Sequence, residues 1–298
     1  LTMVKNKLIG FILVILAAFF WGIGGTISQK LFQAYEIPVG WLVSARLLIG
    51  GLLLLIIQSI FKDMKQVFRV WQTDAVRLVI YGVVGMLAVQ YTYLASIDYG
   101  NAAVATLLQY LAPVMIIIWL IITKQSTFTK KDAITVSLAL SGCFFLLTNG
   151  SISALAVPIP AIIWGLISGV TLAFYTLYAI PLLKKYDSLV IVGWAMVIGS
   201  IVMNIMHPIW HVDVSAWTGK TIFYLVIVII FGTMLAFWFY IESLQTLSAK
   251  ETSLLGNVEP LTAVLATVLW LGEPFGSFQW LGTGLIILMM VYLALKKE

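Results

Sequence analysis

The sequence predicts an all-α membrane protein, with ten transmembrane helices in an inverted repeat of five plus five and both termini in the cytoplasm. Three observations carry this expectation. Of its 298 residues, 62% are hydrophobic and only 10% charged, with a mean hydropathy of +1.07; a soluble domain is about half apolar and a quarter charged. Nearly every charge falls between continuous apolar runs, and these are long enough for the roughly 20 residues a span requires. The two halves also resemble each other, each with an odd number of runs. Outer-membrane barrels alternate apolar and polar residues, and these runs do not. The net charge of +5 does not point to nucleic acid, because the lysines lie between the runs.

The runs cover about 8–31, 38–60, 76–98, 101–123, 132–149, 160–183, 188–206, 221–246, 251–272 and 277–295; they are called spans 1 to 10. Span 1 follows Lys5 and Lys7 as a signal peptide would, but it is too long for an h-region and has no convincing cleavage site. It is expected to stay. The basic residues then orient the chain. With the N-terminus inside, Lys5, Lys7, Lys62, Lys65, Arg69, Arg77, Lys124, Lys130, Lys131, Lys184, Lys185, Lys250, Lys296 and Lys297 are internal, 14 of 17, and only Lys30 and Lys220 are external. Arg46 lies within span 2.

The repeat shows in ordered matches. Tyr93 and Tyr240, Ser96 and Ser243, Pro113 and Pro260, and Phe128 and Phe275 are each 147 residues apart. Trp21-Gly22 matches Trp164-Gly165 at 143, and Gly40-Trp41 matches Gly193-Trp194 at 153. Five spans per half oblige the second half to enter the membrane from the opposite side. The units are residues 1–150 and 151–298, with Asn149 to Pro158 as an outer linker.

The most informative stretch is Gly256-Asn257-Val258-Glu259-Pro260, inside an apolar run. Pro260 has no N–H for the carbonyl of Gly256, and a charged Glu259 is costly in hydrocarbon. The pair fits a site buried in protein or facing a water-filled cavity. Glu259 is a candidate counter-charge for a cation or a proton carrier. The structural alternative is that it holds broken backbone or pairs with Arg46, and Arg46 itself is read first as structural. Pro113 repeats the kink in span 4.

Polar faces at helical spacing supply the other candidates. Span 6 carries Trp164, Ser168, Thr171, Tyr175 and Tyr178, span 4 Thr106, Gln109, Tyr110 and Pro113, and span 9 Ser253, Gly256, Asn257 and Pro260. Spans 3 and 8 add Gln90, Tyr91 and Tyr93, and Trp238 and Tyr240; span 1 adds Trp21. The substrate-binding set expected is Trp21, Gln90, Tyr91, Gln109, Tyr110, Trp164, Tyr175, Tyr178, Trp238, Asn257 and Glu259, with kinks at Pro113 and Pro260. Aromatic walls suit a small amphipathic molecule, and cation–π contact suits an ammonium group. Aromatics also anchor spans at the interface, which is the structural reading of each. Asp98, Lys250, Glu251 and Glu273 lie at span ends and are read as solvated.

Phe20-Trp21-Gly22, Arg46, Tyr93-Leu94-Ala95, Leu111-Ala112-Pro113, Val258-Glu259-Pro260, Leu271-Gly272-Glu273 and Gly282-Thr283-Gly284 occur in this order. As a set they resemble the EamA family of the drug/metabolite transporter superfamily, across the whole chain and both repeats. The resemblance implies a central cavity lined by spans 1, 3, 4, 6, 8 and 9, with spans 5 and 10 peripheral. One departure is that Ala112 stands where the second repeat has Glu259. The family implies secondary transport of a small metabolite through the cell membrane, most simply export of an amino acid or related amine. The alternative is proton- or potential-driven uptake of a choline-like cation. A coupling proton, the lipid bilayer and a monomeric or homodimeric state complete the expected partners.

Other classes find less support. Two histidines in one outer loop, His207 and His211, and the lone Cys143 supply neither a catalytic cluster nor a metal set. No phosphate-binding glycine loop is present, and no cofactor is expected. A channel would prefer a continuous polar lining.

Overall fold

The computed structural model describes residues 2–247 and 255–295, with side chains from Lys7 onward. The expectations for Lys250, Glu251, Ser253, Lys296 and Lys297 lie outside the described residues, as does the side chain of Lys5. The described residues form nine helices long and apolar enough to cross a membrane, plus a shorter apolar helix, Val258–Leu269. The spans run Thr2–Ala34, Val39–Phe61, Ala75–Tyr99, Ala102–Ile122, Lys130–Thr148, Ile159–Leu183, Ser188–Met206, Gly219–Ser243, Val258–Leu269 and Ser277–Leu295.

Local chemistry sets several ends. Thr129 and Asp132 form a reciprocal capping box at the start of span 5, and Thr218 with Thr221 forms one at span 8. The Asn101 carboxamide accepts from the Val104 N–H at 2.9 Å and starts span 4. Asn149 ends span 5 in the left-handed region, with φ 49°.

Three features depart from ten plain helices. Span 4 is broken at Tyr110-Leu111, just before Pro113. Span 9 is interrupted by a turn at Gly256-Asn257, between a helical Leu255 and the helix that begins at Val258. A short helix, Met64–Thr73, fills what reads as a charged loop; Asp63 caps it, and Val67 and Val70 are its buried side. Its charged residues interrupt any apolar run, so composition alone hides it.

Spans 3 and 8 each contain a π-helical segment, Tyr81–Leu87 and Ile227–Leu235. Moved along the chain by the 147-residue repeat offset, the first falls inside the second. Packing follows the same two-fold relation. Span 2 lies on span 7 and span 5 on span 10; span 3 on span 6 is mirrored by span 8 on span 1, and span 4 on span 6 by span 9 on span 1. With five spans in each half, the axis relating them lies in the membrane plane.

The duplicated contacts are specific. Trp41 in span 2 donates through Nε1 to the Ile209 carbonyl at 2.7 Å and meets Trp217 edge-on. Its counterpart Trp194 in span 7 donates to the Val67 carbonyl at 2.7 Å and meets Trp71 edge-on. Spans 5 and 10 cross at two glycines. A Cβ on Gly282 would come within 2.5 Å of the Gly142 carbonyl oxygen, so the backbones touch here as small residues permit.

Candidate functional site

A cavity of about 590 Å³ lies between the halves and takes residues from spans 1, 2, 3, 4, 6, 7, 8, 9 and 10. Its floor is the break in span 9. The Gly256 carbonyl, denied a partner by Pro260, accepts from the Glu259 N–H at 3.0 Å and lies 3.2 Å from the Tyr110 hydroxyl. That hydroxyl also reaches Glu259 Oε2 at 2.9 Å, so the break in span 4 supplies the group that braces the break in span 9. Span 1 can approach because residue 22 is glycine: a Cβ there would lie 2.7 Å from the Glu259 carbonyl oxygen.

Arg46 enters from span 2. It is 6% exposed, and its Nε donates to Thr233 Oγ1 at 3.0 Å in the π segment of span 8. The same threonine donates to the Val228 carbonyl five residues back at 3.0 Å, the long spacing a π segment creates. Tyr93 bonds the Thr106 hydroxyl at 2.8 Å and packs against Gly25, where a Cβ would fall 2.6 Å from the tyrosine oxygen.

The walls are aromatic. Trp21 meets Phe237 edge-on at 5.1 Å and Tyr240 at 5.3 Å, and Tyr81 stacks on Tyr175 at 4.8 Å. Gln90 and Gln109 are nearly buried, and neither carboxamide finds a hydrogen-bond partner among the described residues. Glu259 and Arg46 are the charged residues in the described lining.

Of the residues singled out in the sequence, Trp21, Gln90, Gln109, Tyr110, Pro113, Tyr175 and Glu259 line this cavity together. Five others lie elsewhere. Tyr91 and Trp164 pack edge-on against each other, Tyr178 stacks on Phe174, Trp238 stacks on Phe61, and Asn257 is buried behind the turn. Pro260 is buried beneath the floor. Arg46, read first as structural, is in the lining, as are Tyr81 and Phe237, which no sequence pattern marked. Arg46 and Glu259 form no ion pair: the described salt bridges lie elsewhere.

The cavity extends toward Leu183, Ser188 and Leu244, at one end of spans 6, 7 and 8. Beside that end Asp74 accepts from the Tyr186 hydroxyl at 2.8 Å and from Lys185 Nζ at 3.1 Å, with Arg77 3.8 Å away. The Tyr186 hydrogen bond first, then Lys185, holds the Asp74 carboxyl below the usual carboxylate range. At the opposite end two hydrogen bonds link three segments. Gln29, fully buried in span 1, accepts from the Ala102 N–H and donates to Glu273 Oε1, each at 2.8 Å. Glu273, expected to be solvated, is thus part of a link between spans 1 and 4 and the loop after span 9.

The profile of the EamA-like transporter family matches residues 8–148 and again 159–295. The chain belongs to the EamA-like transporter family. An uncharacterized inner membrane transporter of Salmonella typhimurium, YicL, is 33% identical over 97% of this chain and 96% of its own. An uncharacterized transporter of Bacillus subtilis, YwfM, is 26% identical over 94% and 92%. A solved crystal structure, 16% identical, superposes with a TM-score of 0.63 over 97% of this chain and 96% of that one, which shows the shared fold. This EamA protein is therefore a multi-pass transporter of the cell membrane rather than an enzyme. Among the described residues no group of three or more His, Cys, Asp or Glu side chains is placed to hold a metal ion.

Proposed function

We propose that this EamA protein is a secondary transporter that exports a small amine-bearing metabolite, an amino acid first, by alternating access. The observation that carries the reading is Glu259: a carboxylate held by Tyr110 on the floor of an aromatic-walled cavity between two repeats. A cargo ammonium group would meet that carboxylate and the Trp21 face. The substrate-lining role is assigned to Trp21, Gln90, Gln109, Tyr110, Tyr175 and Glu259, with Pro113 and Pro260 as the backbone breaks that shape the floor.

The side follows from charge, and export as the direction from the family resemblance. Leu183, Ser188 and Leu244 sit at the span ends next to the lysine-rich segments, which the positive-inside rule assigns to the cytoplasm. Both termini are placed on that side. The cavity then faces the cytoplasm, and the Gln29–Glu273 link lies on the outer side. A proton on Glu259 in one half of the cycle is the proposed coupling ion, and the protein works as a monomer or homodimer in the bilayer. The same aromatic wall supports a second reading, uptake of a choline-like quaternary ammonium.

Counterflow in proteoliposomes tests the proposal. Vesicles preloaded with an unlabelled amino acid are expected to accumulate the labelled form transiently and saturably. No counterflow for any amino acid or amine would overturn the reading, and counterflow of choline alone would select the second.

A further inference from the structure

We propose that Arg46 is the carboxylate site of the cargo, so that the transported class is zwitterionic, one molecule bridging Arg46 and Glu259. The inference rests on the transporter reading above and narrows it. Two charged side chains, each 6% exposed, are treated in opposite ways: Asp74 at the loop end of span 3 and Arg46 deep within span 2. Asp74 is met by Tyr186, Lys185 and Arg77. Arg46 is given one neutral partner, Thr233, through Nε alone. Its two terminal nitrogens take no further hydrogen bond among the described residues, and no carboxylate pairs with it there. A guanidinium left with its outer donors at a cavity wall is suited to a planar, bidentate acceptor such as a carboxylate.

The repeat makes the point independently. At the 153-residue offset of spans 2 and 7, the counterpart of Arg46 is Gly199; at the 147-residue offset of spans 4 and 9, the counterpart of Glu259 is Ala112. The second half is built without a cation at this position, and the first without an acid at the other. Each half instead contributes one charge, of opposite sign, to one cavity. Tyr93 lines the same cavity. A cation without a carboxylate would satisfy Glu259 and leave Arg46 unmatched, and burying an unpaired charge is costly. A zwitterion matches both.

The test uses matched ligands on the purified full chain: leucine, leucinamide, 4-methylpentanoate and choline, read by thermal shift and by competition in counterflow. Leucine is expected to bind at least about tenfold more tightly than each one-charge analogue, the ratio that 1.4 kcal/mol gives. In Arg46→Met, leucine should fall to the level of leucinamide while leucinamide is unchanged. The ligand-free melting point should hold or rise, since replacing a buried unpaired charge by an apolar chain relieves a penalty. Wild-type protein that binds leucinamide or choline as well as leucine overturns the inference, as does an Arg46→Met protein that keeps the wild-type ratio or fails to fold. Failure of the transporter reading is distinct: it would be the absence of counterflow for every ligand.

Discussion

The first and second repeats agree at their ends and differ in the middle. At one end Trp41 bonds a carbonyl of the second repeat and leans on Trp217; at the other, Trp194 bonds a carbonyl of the first and leans on Trp71. The π segments of spans 3 and 8 occupy matching positions. Within the cavity the tyrosines Tyr93 and Tyr240 still match but the charges do not: arginine faces glycine and glutamate faces alanine across the repeat. The duplicated parts hold span against span and serve both faces of the membrane. The unduplicated charges are the groups proposed above to meet the cargo.

Substitutions can probe this division at several strengths. The largest effect is expected from Glu259→Gln. A charge-assisted hydrogen bond is worth about 1.5–3 kcal/mol, so cargo affinity should fall about 10- to 100-fold in a binding titration. Adding Ala112→Glu should not restore it, because residue 199 provides no second arginine. Restoration would show that the halves are interchangeable at the site.

Next come the glycines. A Cβ at Gly22 meets backbone, the Glu259 carbonyl and the Ala263 nitrogen, whereas one at Gly165 first meets the movable end of Leu108. Gly22→Ala should therefore destabilise by about 1–3 kcal/mol, as overpacking does, and Gly165→Ala by less. Thermal unfolding in detergent ranks the two.

The tryptophan pairs should cost less and cost the same. Trp41→Phe and Trp194→Phe each remove one hydrogen bond, about 1 kcal/mol, and the double variant should be additive because the sites are at opposite ends. Unequal costs would mean that the two ends are built to different strengths.

The smallest effect is expected at Asp74, which stands at the start of span 3 as Thr218 stands at the start of span 8. Its carboxyl is held below the ordinary value, so its stabilisation is present above the ordinary carboxylate pKa, about 3.9. It is lost as pH falls through the lowered folded value. The difference in melting point between the wild type and Asp74→Asn should accordingly be constant near neutrality and shrink in acid.

The spans, the repeat and the break at Pro260 were legible because each leaves a local mark: an apolar run, a repeated tryptophan, a proline beside an acid. The cavity was legible only in part. Helical spacing finds a face but not which neighbour it meets, so Tyr91, Trp164 and Tyr178 read as lining although they pack on other rings. The π segments add a second difficulty. Each inserts an extra residue per turn, which rotates the helix beyond it, and Trp238 lies just past one. Arg46 carries no periodic signal at all. Only the cavity it shares with Glu259, and its single neutral partner among the described residues, mark it out.

The stretch from Asn149 to Pro158 joins the halves into one chain. Two identical subunits about a two-fold axis can create, at that axis, no electric field perpendicular to it, since every charge is cancelled by its image. A single chain is released from that rule. Here the two halves bring an arginine and a glutamate to one chamber, so a molecule with its own separation of charge has a preferred way round in it.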